Sequence, residues 1–132
     1  GSRPLLWVLH LGYGWLVLGL ALKAAAELTP WLPPSTALHA LTVGAIGTII
    51  LAVMSRAALG HTGRPLAASR LTVAAYLLVS AAALLRAAAP LLPELYSPLL
   101  VASGVSWSLA FALFSAVYLP ILVAPRADGL PG

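Results

Sequence analysis

An all-α fold, an integral membrane four-helix bundle with both termini on the cytoplasmic side, is what this sequence predicts, and three observations carry it. Of the 132 residues, 61% are hydrophobic and 8% charged, with a mean hydropathy of +1.02; such a chain cannot cover its surface with polar groups in water. The apolar residues fall into four runs, each long enough to supply the roughly 20 residues with which a helix crosses a hydrocarbon core about 30 Å thick. The basic residues stand at the ends of those runs and are divided unevenly between the two sides.

The first run covers about residues 4–28, the second 35–59, the third 66–89 and the fourth 95–123. Proline punctuates them, with Pro30, Pro33 and Pro34 in the first connection, Pro65 in the second, and Pro90, Pro93 and Pro98 around the third. Pro120 alone lies well inside a run. It frees the carbonyl of Ala116, so the fourth helix is expected to kink near its end. The four spans form one domain over residues 3–126, preceded by Gly1 and Ser2, which read as a cloning scar, and followed by a tail over 127–132. Ala24 to Ala26 imitate a signal-peptidase site, but the run before them is longer than a signal h-region and holds His10, Tyr13 and Trp15, so cleavage is not expected. Arg-Pro-Leu recurs at residues 3–5 and 64–66, too short an echo to establish a two-plus-two repeat.

A net charge of +4 does not point to nucleic acid, because the cations are scattered rather than clustered on one face. They are read as topology signals. Arg3, Arg56, Arg64, Arg70 and Arg126 fall on the side of the termini and the second loop, against Lys23 and Arg86 on the other. The positive-inside rule therefore turns both termini and the His61 loop to the cytoplasm, with Trp7, Trp31 and Tyr96 near the interfaces. The absence of cysteine excludes disulfides, thiolate zinc sites, iron–sulfur clusters and covalent c-type haem.

Ala40, Gly44, Thr48 and Ala52 recur every four residues as a small-residue ridge, and Gly12 and Gly19 form a second groove. Ordinary helix packing is the commoner use of such seams. Room for a flat cofactor is the other, allowed where Gly14 stands one turn from His10. The three histidines weigh more. An imidazole at membrane depth bonds a carbonyl, relays protons or ligates a metal, and with only three acidic residues in the chain a relay lacks partners, which favours ligation of a metal or haem.

His39 and His61 are 22 residues apart on one predicted helix, a rise of about 33 Å, whereas axial ligands of one iron stand about 4 Å apart. They cannot share an iron within one chain. His10 enters from the same side as His61, so a His10–His61 haem pair is allowed if the loop 60–65 folds back, and His39 is left for a second site or a partner chain. Arg56 and Arg64 on that side suit haem propionates, while Arg70 reads as a topology residue. Trp107, one turn from Phe111, offers an apolar wall or simple core packing. Lys23, Glu27 and Arg86 suggest an ion-pair cluster on the opposite side; were haem held by His39, Lys23 and Arg86 would be its propionate partners.

The run HALTVGAIGTIILAVMSRAALGHTGRP over residues 39–65, together with His10, Gly12, Tyr13 and Trp15, resembles the carboxyl-terminal part of the NnrS family. The resemblance implies a multi-pass protein of the bacterial inner membrane associated with haem and copper and with tolerance of nitric oxide, and it matches His10, His39 and His61 to family histidines. Family members are typically longer, so four spans make this either a truncated portion or a short relative. The expected cofactors are haem b and, secondarily, copper. The expected role is redox or nitric-oxide-responsive, with an autonomous nitric oxide reductase disfavoured because three histidines and few acids do not supply a second metal and a proton path. The competing classes are a structural module whose histidines cross-link helices and a transporter module. Besides the lipid bilayer, a homodimer through the small-residue ridge, or additional spans, is the expected partner, and a dimer would bring two copies of His39 together.

Overall fold

The computed structural model describes residues 3–129. The expected scar, Gly1 and Ser2, and residues 130–132 of the expected tail lie outside the described residues, as does the side chain of Arg3. Four long apolar helices are present: α1 (Arg3–Leu28), α2 (Pro34–His61), α3 (Arg70–Ala88) and α4 (Tyr96–Val123). All four are long and apolar enough to cross a membrane.

Local chemistry sets the boundaries. Pro34 supplies a first helical residue whose missing N–H is no loss there, and α2 runs on to His61, two residues beyond the expected end. His61 is therefore the last residue of the helix and not part of a loop. Residues 66–69, expected to be helical, are not. Ser69 begins α3 instead, its hydroxyl accepting the N–H of Thr72 at 3.1 Å. Pro120 does not end α4. The helix continues to Val123 and stops at Ala124, held extended (φ −85°, ψ 154°) by the following Pro125.

One feature of α2 has no counterpart in the other helices. Ala40–Ile46 is π-helical, wider than the α-helical turns on either side. That segment lies against both α1 and α3. Gly44 in it is seated on Trp15, so close that a Cβ would come within 2.6 Å of the indole. Gly12 is likewise pressed on Ile49, at 2.6 Å for an added Cβ. Both approaches require glycine, and together they hold α1 against α2.

Helices α2 and α3 are the inner pair. Within their most apolar windows 44% and 39% of residues are buried, against 28% for α1 and 17% for α4, so α1 and α4 present most of their apolar surface outward. The core divides in two. Near His61 it holds Leu5, Val8, Leu51, Tyr76, Phe114 and Tyr118; near His39 it holds Trp15 with the small residues Ala40, Ala45 and Ala83. The ridge of Ala40, Gly44, Thr48 and Ala52 is wholly buried inside the chain. This corrects the expected dimer contact: the ridge faces α1 and α3 and is not available to a second copy.

Candidate functional site

The end of the bundle that carries the α1 start, the α2 end and the α4 end is called here the His61 end. His61 and Arg56 line one hollow there, of about 530 Å³, with Leu9, Val53, Ala57, Gly60 and Leu66 as its apolar walls. Arg56 and His61 are five residues apart on α2, about 140° around the helix, and they flank the groove beside α1 from its two sides. An imidazole and a guanidinium beside an apolar surface match the polar groups that a haem iron and a propionate require. Gly60 leaves open space on its side of that hollow, since an added Cβ would meet nothing within 4 Å.

The backbone of His61 is clamped from outside. Arg126 Nη1 donates to the His61 carbonyl at 2.9 Å, and the Ala127 N–H donates to the Thr62 carbonyl at 2.9 Å. Arg126 is itself held by Asp128 through two bonds, Nε to Oδ1 at 2.9 Å and Nη2 to Oδ2 at 2.6 Å. Those bonds raise the pKa of a guanidinium that is already permanently charged. Gly63 closes the clasp at φ +67°, where a side chain would be strained and would collide with the Asp128 carboxylate. Arg64 Nη1 donates to the carbonyls of Thr62 and Ile121, both at 3.4 Å, and so ties the loop to the end of α4. Arg64 is a brace of the loop and does not line the His61 hollow.

His10 lies on another side of α1. It lines a hollow of about 430 Å³ with Leu11, Gly14, Trp15, Leu18, Ser80 and Leu84. Its Nδ1 is 2.9 Å from the Leu6 carbonyl. A carbonyl only accepts, so Nδ1 carries a proton, and in the neutral form of the ring Nε2 is then the free acceptor, the arrangement that orients a histidine toward a metal. Gly14 leaves space beside it, with nothing within 4 Å of an added Cβ. His10 and His61 thus line different hollows, and the structure does not gather them around one.

The opposite, His39 end separates residues that the sequence grouped. Lys23 pairs with Glu27 at 3.1 Å on the exposed face of α1, but Arg86 is not in that pair. It lines a hollow of about 260 Å³ with Val43, Leu100, Ser103, Gly104 and Trp107. Trp107 packs on Gly47 and against Phe111, the two rings 4.7 Å apart. It therefore belongs to the Arg86 hollow and the core rather than to the walls around His61. His39 is half-buried at the start of α2.

Among the described residues, then, Arg56 and His61 are the expected haem-site residues that share a hollow, and at the other end Arg86 lies near enough to His39 for its charge to act on the imidazole. Among the described residues, no group of three or more His, Cys, Asp or Glu side chains is placed to hold a metal ion. Sequence reasoning missed the clasp of Gly63, Arg126 and Asp128. The sequence carries only a weak signal of it, a glycine after His61 and a charged Arg-Ala-Asp near the end, and nothing in either says that the two meet. It also missed a row of hydroxyls that runs from the exposed Ser69 to the buried Thr72 and Tyr118, in which Thr72 Oγ1 lies 3.0 Å from Ser69 Oγ and 3.2 Å from Tyr118 Oη.

The family model described as NnrS protein matches residues 1–126. No curated protein and no solved structure matches the chain.

Proposed function

This chain belongs to the NnrS family, and on that basis we propose that it binds haem b non-covalently, with His61 as an iron ligand and Arg56 receiving a propionate, and acts in a redox or nitric-oxide-responsive role. The observation that carries the reading is the joint lining of one apolar hollow by an imidazole and a guanidinium. A second one supports it. Among the described residues no histidine side chain bonds a neighbouring helix, since His10 is bonded only within α1, which counts against histidines that serve to cross-link the bundle. Haem would supply a redox-active iron able to bind a diatomic gas; the chain's residues supply the ligand, the counter-charge and the exclusion of water.

His10 gives a second reading. Its Nε2, oriented by the bond from Nδ1–H to the Leu6 carbonyl, is available to a haem or a copper ion in its own hollow. His39 serves a further site or one completed by another chain. We read the chain as a protein of the bacterial inner membrane, as membership of the family suggests, with both termini cytoplasmic, a reading supported by the excess of arginine on that side, and with a second copy or additional spans against the outward faces of α1 and α4. An autonomous nitric oxide reductase is not proposed; the competing class is a transporter or structural module that binds no haem.

The visible absorption spectrum of the purified protein tests the reading. A Soret band is expected, with acid–acetone extraction removing all colour because no cysteine anchors the ring. His61→Ala should abolish or shift the band and Arg56→Gln should weaken haem retention. A spectrum untouched by His61→Ala but lost in His10→Ala would move the site to the second hollow, and a protein that stays colourless when supplied with haem would favour the competing class. Metal analysis of the same preparations reports copper.

A further inference from the structure

Arg86 stands near the His39 end of α3 with a guanidinium nitrogen, Nη1, that is covered by protein and makes no hydrogen bond. In a membrane-spanning segment an unpaired cation is strongly unfavourable, and such residues face a partner or a ligand. No carboxylate among the described residues serves it. Glu27 is paired with Lys23 and Asp128 with Arg126 at the other end, and Glu94 is exposed on the turn Pro93–Leu95, with no ion pair to Arg86 among the described residues. Arg86 also lines a hollow of about 260 Å³ whose other walls are mainly apolar, Val43, Leu100 and Trp107. Ser103 adds little positive polarity, because its hydroxyl proton is donated to the Ala82 carbonyl at 2.8 Å. Gly104 leaves its side of the hollow open, with nothing within 4 Å of an added Cβ.

We propose that this hollow is an oxyanion site in which Arg86 binds a phosphate group of net negative charge, not offset by a headgroup cation, supplied either by an anionic bilayer lipid or as free phosphate. The planar fork of a guanidinium suits two phosphate oxygens at once. Nη1 itself is covered, so the donors open to a ligand are Nε and Nη2, which make no hydrogen bond among the described residues; with mainly apolar walls around them they are the strong polar feature of the hollow, and a cation or a neutral polar solute gains little there. The site lies at the opposite end of the bundle from the Arg56–His61 hollow and does not depend on haem binding.

Trp107 lines the hollow and provides a local reporter, its share of the emission isolated by comparison with Trp107→Phe. Protein is reconstituted in vesicles of phosphatidylcholine with brominated-chain phosphatidylglycerol, or with brominated-chain phosphatidylcholine. Preferential quenching of Trp107 by the anionic lipid, by roughly tenfold in apparent affinity, is expected, and Arg86→Gln should remove the preference. In uncharged detergent, inorganic phosphate is added instead. A response there that Arg86→Gln removes identifies free phosphate as the source, whereas a response only in vesicles identifies the lipid. Absence of both responses, or a response that persists in Arg86→Gln, overturns the proposal. If Arg86→Gln does not fold, Gly104→Leu decides, since its side chain enters open space: occlusion should abolish the response with helicity unchanged, and an undiminished response overturns the site.

Discussion

The two ends of this bundle are filled by different means. At the His61 end, large side chains from all four helices interlock, with Tyr76 edge-on to Trp7 (6.2 Å, 88°) and Phe114 stacked on Tyr118 (4.6 Å, 27°). At the His39 end the buried hydrophobic cluster is Trp15 with alanines, and the helices meet through glycine and a π-helical segment. Where large rings fill the interior, the hollows are pushed to the outer grooves, as beside Arg56 and His61. Where small residues fill it, backbone approaches backbone, and the long side chain of Arg86 is left at the margin without a hydrogen-bond partner for Nη1 among the described residues. The difference teaches that packing and polar bracing coincide: the dense end is also the end braced by Arg64, Arg126 and Asp128.

The largest effect should come from the dense end. Leu51→Ala removes a fully buried side chain from a packed interior and should destabilise the protein by about 2–5 kcal/mol, measured by reversible unfolding in mixed micelles. A value below about 1 kcal/mol would mean that this end relaxes as easily as the other. Gly44→Leu attacks the small-residue end by overpacking against Trp15 and should cost about 1–3 kcal/mol. Gly104→Leu, entering open space, should be near neutral in the same assay, and equal costs for the two would remove the distinction between a seat and a gap.

Releasing the clasp should act locally. In Arg126→Ala the amides of residues 62–69 should exchange roughly tenfold faster while the helix interiors keep their protection, as read by hydrogen exchange. If Arg126 positions His61, haem retention should fall in the same variant. Uniform exchange across the chain would show instead that the tail stabilises the whole bundle. The smallest effect is expected of Glu27→Gln, which breaks an exposed pair with Lys23 four residues away and should change stability by no more than about 0.5 kcal/mol. A larger loss would reveal a role for Lys23 and Glu27 in the hollow they line with Pro34, Ser35 and Leu41.

The helical class, the four spans and their approximate limits were legible in the sequence because hydropathy and proline act locally: some 20 apolar residues bounded by proline have few other structures open to them in a bilayer. The resemblance of residues 39–65 to the NnrS family was legible too, and the match over residues 1–126 bears it out. What only the tertiary structure decided is which face of each helix meets which neighbour. A periodic ridge such as Ala40, Gly44, Thr48 and Ala52 looks the same whether it meets α1 or a second copy, and only packing assigned it to the interior. His10 and His61 share an end by topology, yet rotation about the α1 axis sets His10 in one hollow and Leu9, its neighbour, in the hollow of His61. Arg64 and Arg126 counted equally as cytoplasmic charges, and their carbonyl partners on distant residues made them braces. Depth along the membrane normal follows from local composition and rise per residue, whereas azimuth and long-range partners follow from the simultaneous packing of four helices, which no single stretch of sequence encodes.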